Sequence, residues 1–442
     1  MKPQNFEETI IWYAIIGTYL VYFLGIQYIA YPVLGWCLAV YVFRRIWQQT
    51  DDTPAAEQIF IPWGVWVWIF SMTVTLIALI IGHLDFELGT RQLLKSSFDQ
   101  FPRTWGLFAI FPLVGCLRIR SQLIYRAACI LCLQSLIYVI VGNLAYHLGI
   151  NGHLYNTPFA KFAGGSSASD VLLYAFDEYD REFRLQLFTP FAPSLGVVGN
   201  VYFWLTCYEK QTKWRWIGII ASILMIWYSF SRTGKICMFV VPALIWFLAN
   251  VRRPLVQLTA AATSFITSVF SYQIIYWIQD YSISQQKARA ASTKIRGRIR
   301  RESLRRWWDE APIWGHGMGD RTVGRFFAGK SIGSHGMWHG VLFVHGLVGL
   351  LAIVIPMICT AIDCLLKLHH NPTARIGLAL MVIFAIYGFS ENLEGQIYLF
   401  WPGMVMVGIA LKETIPSVLP QPALLHADAV LNQHASPTES SL

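Results

Sequence analysis

The segment HGVLFVHGLVGLLAIVIPMICTA, residues 339–361, runs for 23 residues without an Asp, Glu, Lys or Arg. At the rise of an α-helix that length crosses the hydrocarbon core of a bilayer, which takes roughly 20 apolar residues. Eleven similar segments lie near 9–25, 27–43, 61–82, 102–117, 122–149, 189–207, 214–230, 234–250, 254–278, 374–390 and 395–411. The expected fold class is therefore all-α: a polytopic transmembrane helical bundle of about twelve spans. Composition agrees, since 55% of the 442 residues are hydrophobic and only 13% are charged, about half the share in soluble domains. So few charges could not cover the apolar side chains of a soluble protein. The same arithmetic excludes a disordered chain, a coiled coil, a collagen-like repeat and a disulfide-rich secreted scaffold.

Lys and Arg in the short connections orient the bundle. With the N-terminus in the cytoplasm, the inside connections hold Arg44/Arg45, Arg118/Arg120, Lys210/Lys213/Arg215, Arg252/Arg253 and Lys367/Arg375, while the outside turns at 25–27 and 391–394 hold none. Both termini are then cytoplasmic. No signal peptide is expected, because Glu7 and Glu8 precede the first apolar run and no small-residue cleavage site follows it. Residues 1–411 read as a single membrane-integral domain, and 412–442 as a Pro/Ser-rich disordered cytoplasmic tail. The eight cysteines all fall in spans or at their ends, so no disulfide framework is implied, and the Cys129-x-x-Cys132 pair reads as packing.

Two outside segments are long. Residues 150–188 are mixed and include GGSSASD at 164–170. The connection 279–338, between spans nine and ten, holds 12 Lys and Arg against 5 Asp and Glu, and supplies +7 of the formal charge of +9. Long connections cross regardless of charge, so this basic loop does not conflict with the orientation. Residues 285–308 lack Pro and are expected to form a helix that lines up Lys294, Arg298, Arg301 and Arg305 on one face. Glu302 stands four residues from both Arg298 and Arg306 and is placed to pair with either. Guanidinium groups bind phosphate oxygens in pairs and keep their charge at any physiological pH. The bland alternative is a surface helix on anionic headgroups. Nucleic acid is not an expected partner, because the loop faces away from the cytoplasm.

Two further features lie at the same membrane face. Arg232, in SRTGK (231–235), sits in a tight turn between two spans, and an ionisable residue at membrane depth is a candidate functional group. Snorkelling to the interface is the alternative, and Lys235 fits it. In SHGMWHGVLFVHG (334–346), His335 and His339 stand four apart as the loop re-enters the membrane, with His345 further in. A neutral imidazole suits proton transfer from a hydroxyl. A metal site is not expected, since Gly336 breaks the H-E-x-x-H pattern; His339 and His345 read as structural.

These pieces together resemble the O-antigen ligase and polymerase superfamily of bacterial membrane glycosyltransferases. There an S-R turn follows a mid-chain span, and a large periplasmic loop carries a G-R-x-x-x-x-W-like helix and a P-L-L-G-x-G turn. A His-Asn then opens the next span, with G-x-x-G about eleven residues later. Here the counterparts are Ser231-Arg232, Gly297-Arg298, Pro312-Ile-Trp-Gly315-His-Gly317, His335, and Gly346/Gly349, over roughly residues 190–390. Gly336 replaces the usual Asn, Glu302 takes the place of the helix Trp, and Val344 stands where an acidic residue is common.

The resemblance implies glycan transfer at the outer face of the bacterial cytoplasmic membrane, with no metal or other cofactor. The donor would be a glycan on undecaprenyl diphosphate, and the acceptor a lipid, glycan or protein hydroxyl. Arg232 and Arg298 would hold the diphosphate with Arg301 and Arg305 in support, and His335 would take the proton from the acceptor or orient it. An in-line attack would invert the anomeric carbon. Ligase and polymerase share this chemistry. A twelve-span transporter is the competing class, although the polar residues gather on one outer face rather than at the midplane. Glu391 and Glu394, on the last outside turn, leave open whether they face the same cavity.

Overall fold

The computed structural model describes residues 1–54, 57–157, 170–176, 183–288, 290–320 and 331–414. From Lys412 the expected tail contributes Glu413 and Thr414, which bond to Thr373 and Asn371; the remainder lies outside the described residues. Helices occupy every one of the twelve apolar segments. The first are α1 (Phe6–Ile16), α2 (Thr18–Leu24), α3 (Gln27–Trp47) and α4 (Trp63–Asp85). Gly25, with φ 70°, ends α2 and separates it from α3. Helix α5 (Thr90–Gln100) leads through a π-helical turn, Phe101–Trp105, into α6 (Leu107–Gly115), and α7 (Ser121–His147) follows.

Next come α8 (Ala192–Cys207), α9 (Thr212–Tyr228), α10 (Arg232–Asn250), α11 (Pro254–Val269), α12 (Ser271–Ala288) and α13 (Ala290–Glu310). The last three are α14 (Met337–Lys367), α15 (Pro372–Tyr387) and α16 (Ile397–Lys412), with a 3-10 turn at Glu394–Gln396.

Length and apolarity suit five of these for a complete crossing: α3, α4, α7, α10 and α14. A sixth is the pair α11 with Ser271–Trp277, bent by 73°. The Thr263 and Thr267 hydroxyls of α11 bond back to the carbonyls of Thr259 and Thr263, a pattern that bends helices. Of the expected helix over 285–308, α12 covers the residues up to Ala288 and α13 those from Ala290, and residue 289 lies outside the described residues. Exposed apolar side chains such as Phe70 (72%), Leu255 (72%) and Phe265 (71%) give the bundle the surface that a bilayer, not water, would cover.

The all-α expectation is corrected in one place. Strand β1 (His153–Asn156) pairs antiparallel with β2 (Asp170–Leu172), and β3 (Ala175–Phe176) with β4 (Phe183–Arg184). These strands of two to four residues are too short to print an alternating pattern. They rest on an aromatic cluster in which Tyr146 lies 4.5 Å from Phe183 and 5.6 Å from Tyr174.

The centre of the bundle is α16, buried from Ile397 to Leu411, against the wholly buried α6. Their backbones nearly touch: a Cβ on Gly408 would lie 2.0 Å from the carbonyl of Pro112. Close approach at small residues is how helices pack in lipid, where no hydrophobic gain drives them together.

One end of the bundle gathers cations at helix C-termini. Lys367 Nζ donates to Ala410 O and Leu411 O, and Lys412 Nζ to Cys116 O and Leu117 O. Ammonium groups there meet unpaired carbonyls and the negative end of the helix dipole. Asn5 bonds to Arg118 O, so both ends of the described chain lie on this face. Nearby, Arg126 and Glu209 form a buried two-point ion pair at 2.7 and 3.1 Å.

Candidate functional site

At the opposite end, the turn between α15 and α16 organises the motif residues. Helix α14 begins at Gly336, which has no side chain to cap it. Its first N–H groups are satisfied across the chain instead: Gly336 N donates to Asn392 Oδ1 at 2.7 Å, Met337 N to Glu391 O at 3.1 Å and Trp338 N to Gly388 O at 3.2 Å. His335, just before, adopts φ 66°, a left-handed conformation uncommon outside glycine. A Cβ at position 336 would run into the ring of His339, so a larger residue here requires that ring to move. That ring folds back to Ser334 O at 3.1 Å. His345, deeper in α14, is buried edge-on to Trp105.

The Ser231-Arg232 turn reaches the same segment. Phe230 has φ 51°, reversing the chain, and Ser231 Oγ caps α10 by accepting from Gly234 N at 3.1 Å. Thr233 Oγ1 then meets Ser390 Oγ at 3.0 Å. Arg232 is exposed at the first position of α10. Lys235 lies over the Trp227 ring at 4.4 Å and the Phe230 ring at 5.4 Å, so aromatic faces hold it.

Helix α13 presents two faces. Lys294, Arg298, Arg301 and Arg305 are all exposed, as their spacing predicts. Glu302 is tied to Arg305 at 2.7 Å, while Arg306 bridges Glu310 at 3.0 Å and Asp320 at 2.6 Å. The buried face carries Ile299 and Ser303, each 0% exposed, and Ser303 Oγ accepts from Gly333 N at 3.0 Å. Beside it Arg296 reaches Glu391 Oε1 at 3.4 Å and Ser390 O at 3.5 Å. Thus Arg296, not Arg298, touches the turn that also holds the neighbours of His335 and Arg232. The apolar and small residues Ile295, Ile299 and Ser303, four apart, were the signal that marks the inward face.

The two glycine motifs meet each other. Helix α14 is broken at Gly346 (φ 63°, ψ −163°), and the 312–317 turn fills the break. His316 N and Gly317 N donate to Phe343 O and Val344 O at 2.8 and 2.9 Å, while Leu347 N and Val348 N donate to Pro312 O and Ile313 O at 2.9 and 3.2 Å. Irregular backbone at membrane depth persists only where such partners are supplied. His316 stacks on Phe343 at 4.2 Å and bonds Glu310 Oε2 at 2.8 Å.

The turn between α15 and α16 also carries two carboxyls, Glu391 buried and Glu394 half-buried. Burial raises the Glu391 carboxyl, opposed by Arg296, and burial pushes Glu394 up to about 7. Among the described residues, no three His, Cys, Asp or Glu side chains are grouped to hold a metal ion. Two larger cavities lie elsewhere: about 530 Å³ beside Arg126 and Glu209, and about 590 Å³ between α10 and α11. No protein-family model and no curated protein matches the chain.

Proposed function

We propose that the chain is a twelve-span glycosyltransferase of the O-antigen ligase and polymerase kind, with both termini cytoplasmic and the 279–338 loop outside. It transfers a glycan from undecaprenyl diphosphate to an acceptor hydroxyl, without a metal and with inversion. The observation that carries this reading is the junction at Ser390–Asn392, where segments from residues 230–235, 296 and 335–338 are joined. Three motifs distant in sequence share one outer turn.

The leaving diphosphate gains negative charge as the C1–O bond breaks, and fixed guanidinium groups nearby stabilise that change. Arg232, at the junction, is assigned the diphosphate. The exposed row of Arg298, Arg301 and Arg305 attracts and aligns the polyanionic donor from the open face of α13. His335, held in a strained backbone conformation by the neighbouring contacts, takes the acceptor proton or orients the acceptor hydroxyl.

A broken membrane helix favours transport at first sight, because unwound segments line transporter binding sites. In α14 the freed backbone groups are already bonded to the 312–317 turn, leaving them unavailable to a cargo. Deleting the gene in the host and measuring surface glycan tests the reading. Loss of attachment with polymer retained selects a ligase, and shortened chains select a polymerase. Unchanged glycan in both amount and length refutes both.

A further inference from the structure

The turn at 390–396 holds more acceptor oxygens than the protein satisfies. Gln396 is 2% exposed; its Nε2 donates to Asn392 O at 3.0 Å, while its Oε1 is sealed from solvent and meets no donor. Glu394 Oε2, two residues earlier on the same 3-10 turn, is also sealed and unpartnered. Each buried acceptor left without a donor costs about 1–3 kcal/mol, so the pair points to a ligand that brings O–H groups.

This pair is joined to the His335 junction. Asn392 accepts from Gly336 N through its side chain and from Gln396 through its backbone carbonyl. The surrounding charges are committed elsewhere. Glu391 is bridged to Arg296 at 3.4 Å, and Arg103, on the π-helical turn packed against this 3-10 turn, is bridged to Asp99 at 2.6 Å. Helix α16 contributes no charged residue before Lys412, and the head of α14 brings two histidines, His335 and His339, the latter bonded to Ser334 O at 3.1 Å.

We propose that Glu394 and Gln396 form the acceptor-hydroxyl subsite of the transfer, with Glu394 as its proton acceptor; this rests on the transfer reading above. A sugar suits the turn, because it carries several hydroxyls and can donate to each of these acceptor oxygens. One hydroxyl donates to Gln396 Oε1. The reacting hydroxyl gives its proton to Glu394 as its oxygen forms the bond to C1. The C1–O bond to the diphosphate breaks, and its electron pair leaves on the phosphate oxygen. His335 is then an orienting group rather than the base. A carboxyl that burial holds up to about 7 is basic enough to take a proton near neutral pH.

The test uses right-side-out membrane vesicles from the host, carrying the full chain and the host's own undecaprenyl-diphosphate glycan. Transfer is followed between about pH 5.5 and 8.5, across the range where a base of this strength titrates. The wild-type rate should rise through about 7. Glu394→Gln should be at least about 100-fold slower and flat with pH, the usual loss for a missing general base. Glu394→Asp should recover part of the rate, and Gln396→Leu should slow it about tenfold, the worth of one hydrogen bond, without moving the midpoint. If Glu394→Gln folds and keeps the wild-type rate and profile, the assignment is overturned. If it fails to fold, Glu394→Asp and Gln396→Leu decide, and wild-type behaviour in both overturns the subsite. A wild type that forms no glycosidic product from this pool overturns the transfer reading itself.

Discussion

Gly315 and Gly346 meet so closely that a Cβ on Gly315 would lie 2.5 Å from the amide nitrogen of Gly346. Both have positive φ, 73° and 63°, so each is glycine for conformation as well as for space. The contact locks the loop turn into the break in α14 and so fixes the helix whose first turn follows His335.

Gly346→Ala and Gly315→Ala should each destabilise the protein by roughly 2–4 kcal/mol, from backbone strain plus a clash with backbone that cannot move. Thermal unfolding in detergent measures this. Gly297, the motif glycine of α13, is the contrast: a Cβ there meets nothing within 4 Å. Gly297→Ala should be neutral or stabilising by about 0.5–1 kcal/mol, with activity retained, because alanine is the better helix former.

Arg296 and Arg298 should separate into different phenotypes. Arg296→Ala removes the partner of the mostly buried Glu391 carboxylate, and should lower stability by about 1 kcal/mol, discounted because the Arg side chain is partly exposed. Arg298→Ala should leave the melting temperature within a degree or two while weakening use of the anionic donor roughly tenfold, the effect of one charge-assisted contact. Equal melting temperatures for both variants would refute the inward and outward assignment of the two side chains.

The Arg126–Glu209 pair predicts strong non-additivity. Glu209→Ala leaves a buried guanidinium uncompensated and should cost about 3–5 kcal/mol. The double change Arg126→Met with Glu209→Leu should recover most of that loss, since no unpaired charge remains. Additive losses in the double variant would count against a buried, mutually compensating pair.

Stability should depend on pH through Glu394. Its folded-state value of about 7 lies above the ordinary 4.5, so between those values the folded protein binds more protons than the unfolded chain. Stability contributed by this group is present at low pH and is lost as pH rises toward 7. Wild type should melt a few degrees lower at pH 8 than at pH 5 relative to Glu394→Gln, which lacks the titration. A constant difference between the two proteins across this range would refute it.

Much of the architecture is local information. An uncharged run such as 339–361 states that it forms a helix long and apolar enough to cross a membrane, a Gly at position 25 states where a helix stops, and four cations at helical spacing on α13 state that they share a face. Each depends only on neighbours along the chain, so each is legible in the sequence. The ribbons at 153–184 escaped because strands of two to four residues show no period. Arg296 escaped because helical spacing groups residues into faces without stating which face is turned inward.

The sequence by itself therefore determined the helical class, the positions of apolar segments that suit a membrane crossing, and the identity of the basic loop. Only the tertiary structure decided that the 312–317 turn fills the break at Gly346, that Arg296 is the arginine on Glu391, and that Asn392 holds the residue after His335. Those are contacts between segments some 30 to 100 residues apart. They are selected by complementary unpaired N–H and C=O groups and by burial, quantities that exist only once the chain has packed.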